Sequence, residues 1–249
     1  QWINYDGYRA MFESSQTCRQ GLLIWMSHPC WPSMVWQTYD YYFDPTAAYF
    51  GTKKACEPVH IQYNPLAEKV QLVNISRKDF TSVEAYAEVL DIYGRRISAD
   101  ACTTPLPVDT TLNVMDVRVP EGQDAYYLRL SLKADGEVLS ENFYVRSAGD
   151  SGLKSLLSLP AAEVNVKTRF RKNDGTVTCN ALVTNDSDVP AMMVRLNLKG
   201  TNGEQILPAF YSDNYFHLML GESRTVEISY RNEDARGLRP VLETSWLND

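Results

Sequence analysis

The sequence predicts a mainly β protein: two immunoglobulin-like β-sandwiches preceded by the C-terminal remnant, a last helix–strand–helix, of an alternating α/β barrel. Three observations carry this. From Val59 onward, short runs alternate apolar and polar side chains between turn signals, the period of half-buried strands. Before Cys56 the spacing is helical instead. Between these helical stretches, Gly21-Leu-Leu-Ile-Trp25 is apolar on both faces, which belongs inside a covered parallel sheet, yet no parallel partner follows it. The boundaries expected are 1–57 for the barrel end, 58–148 for the first sandwich and 149–249 for the second.

Taken in order, Tyr5–Ser15 carries Tyr8, Met11 and Phe12 at helical spacing. A strand over Leu22–Trp25 follows Gly21 and opens into a loop holding His28, Trp31 and Trp36. Asp44-Pro45 reads as an N-cap and a first-turn proline, starting a helix with Ala47, Ala48, Phe50 and Ala55 that Glu57-Pro58 stops. The first sandwich takes strands at 60–63, 69–73, 83–90, 125–132 and 138–145, with turns at Asn64-Pro65, Tyr93-Gly94, Glu121-Gly122 and Asp135-Gly136. Ala148–Gly152 reads as a hinge. Strands at 163–171, 176–185, 191–200, 223–230 and 241–246, with turns at 173–175 and 202–203, build the second sandwich.

Composition excludes several classes. A net charge of −7 offers no basic stripe for nucleic acid, and no apolar run is long enough to span a bilayer. The five cysteines are far apart, without metal-ligand spacing or a disulfide framework, and read as buried or idle thiols. The chain starts at Gln1 with neither an initiator Met nor a signal peptide, from which a lost N-terminus is expected. Fifteen Tyr and five Trp suit a protein that meets carbohydrate, although most of them read as sandwich core and edge.

At Gly21–Trp36, at Tyr39-Asp-Tyr-Tyr-Phe-Asp-Pro-Thr-Ala-Ala-Tyr-Phe-Gly51 and at Glu57–Gln62 the chain resembles glycoside hydrolase family 2, on its exo-β-D-glucosaminidase and plant-type endo-β-mannosidase side. Ile206-Leu-Pro208, Tyr211-Ser-Asp-Asn-Tyr-Phe216 and Gly221-Glu-Ser resemble the C-terminal immunoglobulin-like domain of that subgroup. The resemblance implies a TIM (β/α)8 barrel followed by two sandwiches, with Trp25 ending the eighth barrel strand. It also implies a retaining glycosidase that uses no metal and no organic cofactor and whose two catalytic glutamates, at strands four and seven, would precede residue 1. No catalytic residue is therefore assigned within the chain, which alone is expected to be inactive.

The same resemblance makes Trp25 the floor of the sugar pocket, with His28 and Trp31 as further substrate-binding candidates. The partner implied is an oligosaccharide or polysaccharide, met through the missing barrel, and the compartment implied is periplasmic or secreted. Glu13, Asp40 and Asp44 read as helix, loop and cap residues. Tyr211–Phe216 reads as a structural corner. Asn74-Ile-Ser76 and Asn185-Asp-Ser187 match the glycosylation pattern, as short motifs do by chance. The alternative reading is a non-catalytic carbohydrate-binding or structural immunoglobulin-like module. It would require a line of exposed aromatics on a sandwich face, and Tyr86, Tyr126, Tyr127 and Tyr144 lie in strand patterns instead.

Overall fold

The structure, a computed structural model, describes residues 1–18, 21–33, 36–118, 122, 124–147 and 152–249. Two compact units emerge: 1–6, 24–51 and 160–249 form one, and 7–23 with 52–159 the other. The expected turn residue Glu121 and hinge positions 148–151 lie outside the described residues.

In the second unit, β1 (Val59–Asn64), β2 (Lys69–Asn74) and β5 (Thr110–Asp116) form an antiparallel sheet in the order β1-β2-β5. The facing sheet runs β4-β3-β6-β7, from β3 (Phe80–Leu90), β4 (Arg96–Leu106), β6 (Ala125–Ala134) and β7 (Glu137–Ser147). Alternation explains the core between them. Leu128, Leu130 and Leu132 of β6 meet Val70 and Leu72 of β2 in one wholly buried cluster. The β6–β7 hairpin closes on Asp135-Gly136, both at positive φ (53° and 82°), as a two-residue type I′ turn demands. Strands β4 and β5 were not expected. β4 is rich in Ala, Ser, Asp and Thr and contains Pro105, weak strand chemistry that only an edge position tolerates.

The other unit repeats the four-plus-three plan. β8 (Val164–Asn173), β9 (Thr176–Asn185), β11 (Ala209–Tyr211) and β13 (Ser223–Arg231) form a sheet ordered β11-β13-β9-β8, opposite β12-β10-β14 from β10 (Ala191–Gly200), β12 (Phe216–Leu218) and β14 (Pro240–Ser245). Asp174-Gly175 makes the same type I′ turn between β8 and β9 (45° and 79°). Ala47 and Phe50 join this unit's core beside Leu196, Leu198, Ile228 and Tyr211.

One device recurs in both sandwiches. Asn74 ends β2 and Asn185 ends β9, and both are wholly buried. Each side-chain amide nitrogen shares its two hydrogens among three carbonyls: Lys78, Leu106 and Pro107 for Asn74, and Val189, Leu218 and Met219 for Asn185. Each Oδ1 accepts from the backbone N–H and the hydroxyl of the serine two residues on. The two glycosylation-like motifs are thus equivalent corner pins that tie a strand end to the loop before a neighbouring strand. An Asn amide nitrogen with three protein acceptors and no exposure is unavailable to a glycosyl donor.

Two sequence expectations fail before residue 57. Helix α1 runs Trp2–Cys18, but no strand forms over 22–25, and Leu23 is 98 % and Trp25 81 % exposed. An extended apolar segment becomes a strand only through a partner's hydrogen bonds, and the described residues supply none. Helix α2 begins at Ala47, two residues later than expected (Ala47–Ala55). Asp44 is no cap there: its carboxylate pairs with Arg195, while Gln1 Oε1 accepts the Ala47 N–H at 3.0 Å.

Candidate functional site

The loop that the sequence singles out divides into an open part and a rigid part. Trp25 (81 % exposed) and Trp31 (67 %) project into solvent. His28 is not with them. Its ring stacks on Phe43 (centroids 4.2 Å apart, 13° between planes), and its Nε2 lies 3.1 Å from the Tyr41 carbonyl. The structure therefore brings His28 to an aromatic turn rather than to the two indoles. Trp36 is also exposed and makes no part of that turn.

The turn is Asp40-Tyr-Tyr-Phe-Asp44. The Asp40 carboxylate accepts the N–H groups of Tyr42 (2.8 Å) and Asp44 (3.0 Å), and the Phe43 N–H reaches the Asp40 carbonyl at 3.1 Å. Below it, Tyr39 bridges Pro45 and Thr46 N–H donates to Thr38. The sequence needs two aspartates around three aromatics to fold this way, and it has them. The result holds Phe43 at φ 67°, in a left-handed conformation that bulky residues seldom adopt.

Under the turn, Asp44 meets Arg195 of β10, whose guanidinium also lies over the Tyr215 ring at 5.9 Å. Burial pushes the Asp44 pKa up, with Arg195 opposing it, and burial carries the Tyr215 phenol up to about 12. Tyr211–Phe216 is the corner that the sequence suggests. Tyr211 Oη accepts the Leu198 N–H, the Asn214 side chain pairs with both backbone groups of Leu196, and Asp213 binds Arg224. Between the aromatic turn, the start of α2 and the 204–211 segment lies a cleft of about 800 Å³, lined among others by Tyr42, Phe43, Phe210, Glu204 and Arg236. Nothing in the sequence pairs Phe210 with Phe43; only the fold does.

The other unit holds a cluster the sequence reading missed. His60 is fully buried, with Nε2 3.1 Å from Glu13 Oε1 and Nδ1 3.0 Å from Glu57 Oε2. Glu13 Oε1 also accepts from Asn142 and from the Tyr144 hydroxyl, each at 2.8 Å. Ser140 Oγ donates to Glu57 at 2.6 Å, and Arg9 donates to Asn142 while covering the Tyr144 ring at 4.1 Å. Burial alone would lower the His60 pKa, but the two carboxylates outweigh it and raise it. Burial works against Glu57 ionising, yet His60, Lys54 and Ser140 lower its pKa. Ser, His and Glu here resemble a nucleophile set only in composition. The hydroxyl is turned to the carboxylate, both imidazole nitrogens face carboxylates, and the imidazole has no solvent access. The cluster holds structure together. Glu13, read as a helix residue, is its hub.

Comparison with known proteins bears on this architecture. Residues 142–248 match the family described as "Exo-beta-D-glucosaminidase Ig-fold domain". An exo-beta-D-glucosaminidase of Arthroderma benhamiae is 31 % identical over 98 % of this chain and 29 % of its own length. A mannosylglycoprotein endo-beta-mannosidase of Lilium longiflorum is 24 % identical over all of this chain and 33 % of its own. The exo-chitosanase of Amycolatopsis orientalis superposes with a TM-score of 0.89 at 26 % identity, covering 100 % of this chain and 33 % of the enzyme. The fold and these matches define the class, a C-terminal part of a glycoside hydrolase family 2 protein. Within that family the chain stands with the exo-β-D-glucosaminidases and β-mannosidases, and it spans about a third of the length of the relatives it matches.

Proposed function

We propose that this chain completes a retaining β-glycosidase acting on β-glucosaminides or β-mannosides. Residues 1–57 would close a (β/α)8 barrel, with 58–148 and 149–249 as the sandwiches behind it. The observation that carries this reading is the apolar stretch 22–25, which holds Leu23 and the Trp25 indole in water with no strand partner among the described residues. Such a stretch is stable only under a cover, and a barrel wall would bury its aliphatic residues while leaving aromatic faces at the strand's C-terminal end. There Trp25 and Trp31 would stack on the C–H face of a pyranose. His28, with Nε2 directed at Tyr41 and one face on Phe43, keeps Nδ1 for a sugar hydroxyl. The catalytic carboxylates would come from outside residues 1–249, and the partner would be an oligosaccharide or polysaccharide.

A chimera tests this. The Amycolatopsis exo-chitosanase, with its matching C-terminal third replaced by this chain, should hydrolyse p-nitrophenyl β-D-glucosaminide or the mannoside, and Trp25→Ala should abolish most of that rate. A folded chimera inactive on both substrates would remove the reading.

A further inference from the structure

We infer that the free edge of β8 is a docking site for an extended acidic segment of another polypeptide, which adds a strand to the second sandwich. The two sandwiches, set strand against strand from their corner pins, show why this edge is open. Asn74 and Asn185 equate β1 and β2 with β8 and β9, and the pairings then equate β3, β5 and β6 with β10, β13 and β14. The exception is β7. It lies beyond β6 in the first sandwich, whereas no strand among the described residues lies beyond β14 in the second, whose seventh strand β11 stands beyond β13 instead. In the first sandwich β7 covers β1. Ser140 and Tyr144 accept the N–H groups of Ile61 and Tyr63, and Asn142 donates to the Ile61 carbonyl. Ile61 is wholly buried as a result.

Strand β8 has no such cover. The Asn185 N–H goes to the Glu222 carbonyl, on the β13 side, so alternation turns the backbone groups of Leu182, Asn180 and Thr178 of β9 toward β8. Their partners Lys167, Arg169 and Arg171 spend their own backbone groups on that ladder. Val166, Thr168 and Phe170 therefore present N–H and C=O to the open edge, where no described residue pairs with them. Val166 is half-buried against the core, but every residue from Lys167 to Asn173 is exposed, Phe170 by 37 %. The opening is closed at its other end, where Trp246 donates to the Ala162 carbonyl at 3.1 Å. An edge of alternating donors and acceptors calls for a peptide strand, whose backbone carries both at the same period. Charge then chooses its chemistry. Lys167, Arg169 and Arg171 stand on the outer face at every second residue, about 7 Å apart, and none has an ion-pair partner among the described residues. An added strand sets its side chains directly opposite these, so acidic residues at alternate positions answer the three cations while apolar residues between them cover Val166 and Phe170. A second copy presenting its own β8 would set cation against cation, which turns the edge away from self-association.

The test uses the 249-residue chain and three fluorescent peptides of about ten residues, enough for one long strand. They alternate glutamate with valine, lysine with valine, and glutamate with N-methylvaline. Fluorescence anisotropy should show the glutamate–valine peptide bound in the micromolar range and the lysine–valine peptide about tenfold weaker. The N-methylated peptide should not bind, because its valine N–H groups are the ones that would face β8. Hydrogen exchange at Val166, Thr168 and Phe170 should slow in the complex. Thr168→Pro removes one open-edge N–H without touching the β9 ladder, and should weaken binding about tenfold. Arg169→Glu combined with Arg171→Glu should reverse the preference toward the lysine–valine peptide. Leu66→Ala, at an exposed leucine in the other unit, should change nothing, and circular dichroism should show all variants folded. No binding of the glutamate–valine peptide, equal binding of its N-methylated form, or binding unaffected by Thr168→Pro overturns the inference. A concentration-dependent dimer of the chain alone that Thr168→Pro dissolves assigns the edge to a second copy and overturns it as well.

Discussion

The His60 cluster and the Phe43 turn are both built from acidic and aromatic residues brought together from distant parts of the sequence, and they end in opposite states. Around His60 the paired groups answer one another: both imidazole nitrogens, the Glu13 oxygen Oε1 with its three donors, the Ser140 hydroxyl and the Asn142 amide. Around Phe43 the backbone, Asp40 and Asp44 are likewise satisfied, while Tyr42 and Phe43 keep aromatic faces in water. A site whose groups are used up inside the protein holds the fold, and a site whose scaffold is satisfied but whose faces are free is available for recognition.

The largest effect should come from breaking the closed cluster. His60→Leu leaves Glu13 and Glu57 facing each other without their shared donor, the situation that costs about 3–5 kcal/mol when one partner of a buried ion pair is removed. Urea unfolding of the unit containing residues 52–159 should show this loss, whereas Phe210→Ser in the cleft should stay within about 0.5 kcal/mol of wild type. Comparable losses would erase the contrast.

The corner pins come next. Asn74→Ala and Asn185→Ala each strand three carbonyls and a serine hydroxyl, at about 2–4 kcal/mol apiece. Because they lie in separate sandwiches, the double variant should show the sum in a double-mutant cycle. A mass shift from glycosylation of either Asn in the folded protein would contradict their burial.

These pins show how unevenly the sequence discloses the molecule. Strand alternation was readable wherever burial is one-sided, as in β6 and β9, because each inward side chain must be apolar whatever its partner. The strand β4 was not, since its more buried face carries Asp100, Cys102 and Thr104, small or polar residues that give no apolar alternation. Asn74 and Asn185 carried a usable signal, the same Asn-x-Ser at the end of the second strand of each sandwich, but chance motifs look identical until position in the fold is known. The His60 cluster left no signal at all. Glu13 and His60 are 47 residues apart, and Asn142 lies another 82 on, so their meeting is a property of the packed fold. The segment 22–25 erred in the other direction: its apolar pattern names a strand, but a strand is a relation between segments.

A smaller effect is expected from pH. His60 has a raised pKa in the folded protein, so its contribution is complete below the ordinary histidine value of about 6.5 and fades as pH climbs through the raised one. Glu57 has a lowered pKa, so its contribution is complete above the ordinary glutamate value of about 4.3 and is lost as pH falls through the lowered one. Stability from this cluster should therefore peak between about pH 4.5 and 6.5. The alkaline decline should flatten in His60→Gln. A decline that persists unchanged in that variant would place the titrating group elsewhere.

The smallest stability change, and the sharpest test of the comparison, belongs to Phe43→Gly. Two terms oppose each other. The left-handed backbone costs a non-glycine residue about 1–2 kcal/mol, which glycine recovers. The stack on His28 contributes about 0.5–1.5 kcal/mol, which glycine forfeits. The sum lies near zero or slightly in favour of the variant, so thermal unfolding should be unchanged or a little later. A residue that can be removed without loss of stability, at a position whose backbone geometry disfavours it, is kept for what its ring meets. If Phe43→Gly instead destabilises the protein by more than about 2 kcal/mol, the ring holds the turn together, and the aromatic turn belongs with the His60 cluster as structure.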